Sequence, residues 1–202
     1  MIIGCLIFYN EEQFLSDWYK NLSPHVDRIV AIDGRFEDYP GVAVYSTDGS
    51  YAILGDKPDV TSICPAMAWP SQQLKRTAYL VGAPGDWYVV VDADEMLENG
   101  SSLRDEIDSL EGTPHEFAQI KVVGHGADRL AGRVFRHQDG LQYLHRHFWL
   151  GINGEVVWKG DTGPVLEDVY LNHRRSERSP ERIKQKAQFS VAQSKSEFPF
   201  DR

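Results

Sequence analysis

The chain is short of cysteine, of basic charge and of long apolar runs, and each shortage removes a class of protein. Cys5 and Cys64 are the only cysteines in 202 residues. One lies in an apolar run and one in a loop-like stretch, so they make neither a metal-ligand spacing nor a disulfide framework, and a reducing compartment is the simpler reading. Lys and Arg number 21 against 30 Asp and Glu, for a formal charge of -9, which argues against a broad basic face for DNA, RNA or anionic lipid. No apolar run approaches the roughly 20 residues of a membrane span, and the apolar start lacks a basic leader and runs straight into Asn10-Glu11-Glu12, unlike a signal peptide. A cytoplasmic protein without a transmembrane segment is expected. Repeats and low-complexity tracts are absent as well. What is present is a 42% hydrophobic share, ordinary for a globular fold. Positive charge is locally concentrated only between Asn172 and Lys186.

The first half reads as alternating strands and helices. "IIGCLIF" is the continuous apolar run of a strand covered on both faces. Asn10 then caps a helix with Glu11 and Glu12 in its first turn and Phe14, Leu15, Trp18 and Leu22 at helical spacing. "RIVAID", ending at Asp33-Gly34, predicts a second buried strand and "VAVY" (42–45) a third. Residues 46–70, rich in Gly, Asp, Pro and Ser, are long for an idle connection and so read as a functional loop. Ser71 caps the next helix, with Leu74, Ala78 and Val81 on its inward face, Gln72 and Arg76 together on another, and Pro84-Gly85 at its end. "WYVVV" predicts a strand, followed by a helix over 102–110 closed by Gly112 and Pro114. The second half, with "EFAQIKVV", "GRVFRH", "LQYLHRHFWL" and "EVVWKG", is more polar-interleaved and predicts a more exposed, partly antiparallel extension. "VYLNH" is a last strand, and Ser179-Pro180 starts a last helix.

The informative stretch is "DWYVVVDADEML", where Asp92, Asp94 and Glu95 follow an apolar strand. Ligands of open α/β sheets bind beyond the carboxyl ends of strands. In an extended chain Asp92 and Asp94 point to the same side, so they can share one divalent ion. Mg²⁺ or Mn²⁺ needs only one or two carboxylates when a substrate diphosphate completes its shell. The plainer alternative is a solvated turn capping the next segment. Asp33-Gly34, at the end of another strand, favours a shared cleft.

"IFYNEEQFLSDWYKNL", "RIVAIDG", "QLKRTAYLVGAPGDWYVVVDADEML" and "RVFRHQDGLQYLHRHFWL", in that order, resemble the family 2 glycosyltransferases with the GT-A fold, and Asp92-Ala93-Asp94 matches that family's DxD motif. The resemblance runs from Ile2 to about His173. It implies an α/β fold, a GT-A (Rossmann-like) mixed sheet flanked by helices with a smaller α+β acceptor-side extension. One domain would cover 1–202, with about 1–114 binding the nucleotide sugar and about 115–202 forming the acceptor half and a C-terminal closing segment. Asp92 and Asp94 would hold Mn²⁺ or Mg²⁺ against the diphosphate, Asp94 being the more direct ligand. Asp33 would contact base or ribose, and Lys75 and Arg76 would lie near the donor phosphates, although Lys75 also reads as a solvated surface lysine. A UDP-sugar is the default donor, and the acceptor is a hydroxyl on a carbohydrate, a protein or another molecule.

The chain departs from that pattern in two places. Where relatives read DDGSxD, it has "DGRFEDYPG", with Asp48-Gly49 only a loose substitute. Where a His-Glu pair is usual, it has His147-Phe148, so the carboxylate that would deprotonate the acceptor is missing. An inverting transfer needs a base within hydrogen-bond reach of that hydroxyl. His147 is the first candidate, with His145 on the same strand face and Glu167 and Asp168 as rivals. Glu95 would reach donor sugar or acceptor, or simply cap a turn. His173 would complete the metal shell or face solvent, and Arg174, Arg175 and Arg178 would close over the diphosphate or form a solvated charge run. Trp69, Trp149 and Trp158 fit sugar stacking or core packing equally.

Other functions fit less of the chain. A sugar-phosphate nucleotidyltransferase expects a glycine-rich, lysine-bearing loop after the first strand, which "FYNEEQF" lacks. A phosphatase with an aspartate nucleophile expects its motif on the first strand. A non-catalytic nucleotide-sugar or carbohydrate-binding protein on the same fold fits the missing glutamate but not the intact aspartate pair.

Overall fold

The structure, a computed structural model, describes residues 1–82, 85–124, 126–144, 149–180, 183–185 and 187, with Arg175 described by its backbone alone. The predicted first strand forms as β1 (Ile2–Ile7). It is followed by α1 (Glu12–Leu22), β2 (Arg28–Ile32), α2 (Ser50–Gly55) and β3 (Val60–Ile63). Then come α3 (Gln72–Gly82), β4 (Trp87–Val90), β5 (Glu95–Glu98) and α4 (Leu103–Ser109). The second half supplies β6 (Phe117–Val123), β7 (Arg129–Arg136), β8 (Leu141–Tyr143), β9 (Leu150–Ile152), β10 (Glu155–Trp158) and β11 (Val165–His173).

Eight strands make one mixed sheet in the order β3-β2-β1-β4-β7-β6-β11-β5, and β10-β9-β8 make a small antiparallel sheet. β1 is parallel to β2 and β4, and β2 to β3. β7 runs antiparallel to both β4 and β6. β6, β7 and β11 therefore complete the main sheet, and only β8 to β10 stand apart as an extension. Strands covered on both faces carry the long apolar runs. On one side Trp18, Leu15 and Leu22 of α1 and Leu103 and Ile107 of α4 pack on Leu6, Val89 and Ile120. On the other, Tyr79 and Leu80 of α3 meet Cys5, Val90, Phe135 and Tyr143. Among the described residues, no helix is long and apolar enough to cross a membrane.

Three expectations from the sequence change. Asn10 is not the cap of α1: it takes a left-handed φ of 53°, its amide donates to Ser46 Oγ, and its Oδ1 accepts from Thr47. The helix start is instead satisfied from a distant loop, with Glu11 N donating to Ser50 Oγ and Glu12 N to Asp48 Oδ2. Residues 42–45 form no strand; Val42 is 98% exposed, and the third strand is Val60–Ile63, inside the stretch expected to be a loop. The Asp33 carboxylate accepts from Gly34 N, Ser46 N and Ser46 Oγ, folding 34–46 back onto the end of β2. Gly34 permits this turn, since at its φ of +115° a Cβ would lie 2.5 Å from Pro65 Cγ. Finally, α3 is rotated relative to its apolar pattern. Leu74 and Val81 are exposed, while Lys75, Arg76, Tyr79 and Leu80 are buried.

Candidate active site

The rotation of α3 follows from charge at the strand ends. β1 leads outward to β2 and β3 on one side and pairs with β4 on the other, so its carboxyl end lies where strand order reverses, the usual ligand crevice of such sheets. Lys75 Nζ donates to the carbonyls of Phe8 and Gly34 at 2.6 and 2.5 Å, tying the ends of β1 and β2 together. Arg76 reaches Asp92 just past β4. Its guanidinium lies 6.0 Å from the centre of the Tyr143 ring, whose hydroxyl accepts from Tyr79 at 2.6 Å.

The acidic stretch is a turn rather than an extended chain, closed by a hydrogen bond from Glu95 N to the Asp92 carbonyl at 2.9 Å. Strand alternation therefore does not carry over to Asp92 and Asp94, and they meet different partners. Asp92 Oδ1 accepts from Arg76 Nη2 at 2.9 Å and Oδ2 from Arg133 Nη2 at 3.0 Å. Burial would raise its pKa, but the two guanidinium groups hold it well below the usual carboxylate range. Glu95 is 1% exposed, accepting from Arg133 at 2.7 Å and from the Asp92 amide at 2.9 Å. Burial pushes its pKa up to about 7 against the pull of Arg133.

Asp94, also buried, faces the C-terminal segment. Its Oδ2 accepts from Arg178 Nε at 2.8 Å and lies 2.5 Å from Nη2 and 3.4 Å from His173 Nε2. Its carbonyl accepts from the Arg174 amide. Arg178 Nη1 is 3.5 Å from Glu11 Oε1. Glu11, Asp92, Asp94 and Glu95 thus interleave with Arg76, Arg133 and Arg178. Beside them lies a cavity of about 350 Å³ lined by Asn10, Glu11, Glu12, Gln13, Asp48 and Ser179.

The structure brings Arg76, Asp92, Asp94, Glu95, His173 and Arg178 together. Lys75 and Asp33 are next to this group but turned inward, each bonded to the chain's own backbone or to Ser46, so neither presents a free side chain to a donor. Asp168 is exposed and lies five strand residues before His173, on the order of 15 Å away, with its amide bound by Glu106 and its carbonyl by Asn99. Glu167 shares that place. His147, His145 and Phe148 fall outside the described residues, as does the Arg175 side chain. Trp158 is buried against Phe117, Trp69 Nε1 donates to the Asp33 carbonyl, and Lys159 lies over Trp149.

The sequence pattern did not single out Arg133 or Glu11. An arginine directly before the apolar pair Val134-Phe135 was the available signal for the first. Glu11 follows β1 too closely to be distinguished from Glu12 without the fold.

Among the described residues, no group of three or more His, Cys, Asp and Glu side chains is placed to hold a metal ion. A hard divalent ion needs less than that when phosphate and water complete its shell. Asp94 Oδ2 and His173 Nε2, 3.4 Å apart, fit that role. Asp92, held between two guanidinium groups, does not share their place.

No known family model matches the chain, and no curated protein matches it. Solved structures do. S. aureus TarS 1-349 in complex with UDP-GlcNAc aligns at a TM-score of 0.50 with 19% identity, covering 62% of this chain and 36% of that one. Its complex with UDP aligns at 0.50 and 19%, covering 62% and 37%. The mannosyltransferase PcManGT from Pyrobaculum calidifontis, in complex with GDP-Man and Mn²⁺, aligns at 0.48 and 17%, covering 61% and 35%. The fold is thus the GT-A, Rossmann-like architecture of glycosyltransferases. The chain spans a little over a third of the TarS 1-349 length.

Proposed function

We propose that the protein is a glycosyltransferase that moves a sugar from a nucleotide-diphosphate donor, a UDP-sugar by default, to a hydroxyl acceptor. Fold alone does not imply activity. The observation that carries the reading is the Asp92-Ala93-Asp94 turn at the sheet's reversal point, with His173 and Arg178 brought to Asp94 from the far end of the chain. Glycosyl transfer leaves negative charge on the departing diphosphate, and positive groups aimed at it lower the barrier. Mn²⁺ or Mg²⁺ on Asp94 and His173 would supply Lewis-acid stabilisation of that charge.

The chain's own residues do the rest. Arg178 on Asp94 and Arg76 on Asp92 bring guanidinium forks that match phosphate oxygens to the turn. Arg133 fixes Asp92 and Glu95 so that the turn keeps its shape. Glu95, fully buried and paired, positions Arg133 rather than touching substrate, and the acceptor base falls to His147. Incubation of the full chain with UDP-glucose, UDP-GlcNAc and GDP-mannose in Mn²⁺, followed by mass spectrometry, tests this: release of the nucleoside diphosphate supports transfer. Nucleotide binding without release from any donor would select the non-catalytic nucleotide-sugar-binding protein, the reading favoured by Phe148 at the usual glutamate position.

A further inference from the structure

Asp94 is a 5% exposed carboxylate, and an ionised group so placed needs a countercharge. Arg178 provides it through two nitrogens on Oδ2. On the arginine side Nη1 makes no hydrogen bond and lies 3.5 Å from Glu11 Oε1, so that end of the guanidinium is held by charge alone. The rest of the segment is held by the Arg174 amide on the Asp94 carbonyl and by Arg174 Nη1, 3.4 Å from Asp17 Oδ2. Arg174 and Arg178 lie 5.6 and 5.7 Å from the centre of the Phe14 ring, Arg174 pairs with its neighbour Glu177, and Ser179 forms part of the cavity wall next to Glu11. His173 Nε2 approaches the same Oδ2 that Arg178 holds.

We propose that Arg178 and a divalent cation are alternative partners of Asp94. With no cation on Asp94 the guanidinium neutralises the carboxylate. An incoming cation with its nucleoside diphosphate takes Asp94 and His173, and Arg178 leaves with its segment to bind the diphosphate oxygens. Two cations on one buried carboxylate oxygen repel each other, whereas a diphosphate offers the guanidinium fork a matching acceptor. The proposal rests on the donor-binding reading of the site and adds that Arg178 changes partner, from Asp94 to the diphosphate, when the cation arrives.

Calorimetric titration of MnCl₂ alone, and of UDP and GDP with saturating Mn²⁺, into the full wild-type chain, Arg178→Met, Arg178→Lys and Asp94→Asn tests it, with thermal melts of each. Without the competing guanidinium, Arg178→Met binds Mn²⁺ alone about tenfold tighter or more and shows a larger Mn²⁺-induced rise in Tm, yet binds the nucleotide with Mn²⁺ more weakly. Equal or weaker Mn²⁺ binding by folded Arg178→Met overturns the exchange, as does undiminished Mn²⁺ binding by Asp94→Asn. If Arg178→Met does not fold, Arg178→Lys decides: it keeps the charge and loses the fork, so Mn²⁺ binds about threefold tighter, and an unchanged affinity overturns the proposal. Tighter Mn²⁺ binding with no nucleotide binding by any variant keeps the exchange and defeats the donor reading instead.

Discussion

Asp92 and Asp94 are one residue apart in the chain and belong to separate charge systems. Asp92, half-buried, is joined through Arg133 to buried Glu95 and is also held by Arg76. Asp94 with His173 and Arg178 joins the turn to the C-terminal segment. Substitutions separate the two. Arg133→Met leaves buried Glu95 without its partner while Asp92 keeps Arg76, which costs about 3–5 kcal/mol for a buried pair; chemical denaturation measures it, and a loss under 1 kcal/mol, roughly the worth of a surface pair, would show that Arg133 holds nothing. Asp94→Asn spares most of the fold and removes Mn²⁺-dependent nucleotide binding, as titration would show. The aspartates, Arg76 and His173 were legible in the sequence because their types and positions after strands carry chemical meaning. Arg133 was not, because the sequence does not show that β7 lies beside β4.

Among the elements, α1 follows its apolar spacing. Trp18 is fully buried, so Trp18→Ala costs about 3–5 kcal/mol. α3 does not follow it, because the charges at the strand ends turn Lys75 and Arg76 inward and leave Leu74 and Val81 outside. Leu80→Ala, at a buried position, therefore costs about 2–5 kcal/mol, whereas Leu74→Glu and Val81→Glu stay within about 0.5 kcal/mol. Equal losses at Leu74 and Leu80 in urea denaturation would contradict the orientation of the helix. The same limit explains residues 42–63. A run of four apolar residues cannot be told from a strand by pattern alone, and the Asp33–Ser46 bonds that make it a loop are contacts across 13 positions.

At the scale of the whole molecule, the parallel half of the sheet was legible from its apolar runs, and the long-range order of β6, β7, β11 and β5 was not. Asp27 ties the chain start to α4, accepting from Ile2 N at 2.6 Å and from Arg104 at 2.8 Å. Burial raises its pKa, but these partners leave it below its ordinary 3.8. A lowered folded-state pKa contributes stability that is present above the unfolded value and lost as pH falls through the folded one. Asp27→Asn therefore lowers Tm at pH 7, and the gap to wild type narrows as the pH drops below about 3.8; melts at both ends of that range measure it, and a gap independent of pH would contradict it.

The most direct test of the central claim is the melting temperature of the full chain with UDP or GDP, with and without Mn²⁺. Nucleotide at about 100 times its Kd stabilises a protein by about 2.7 kcal/mol, a rise of about 5 °C or more for a chain of this size, and the rise is expected only when the ion is present. No rise with either nucleotide in the presence of Mn²⁺ would contradict the assignment of this crevice to a nucleotide-sugar donor.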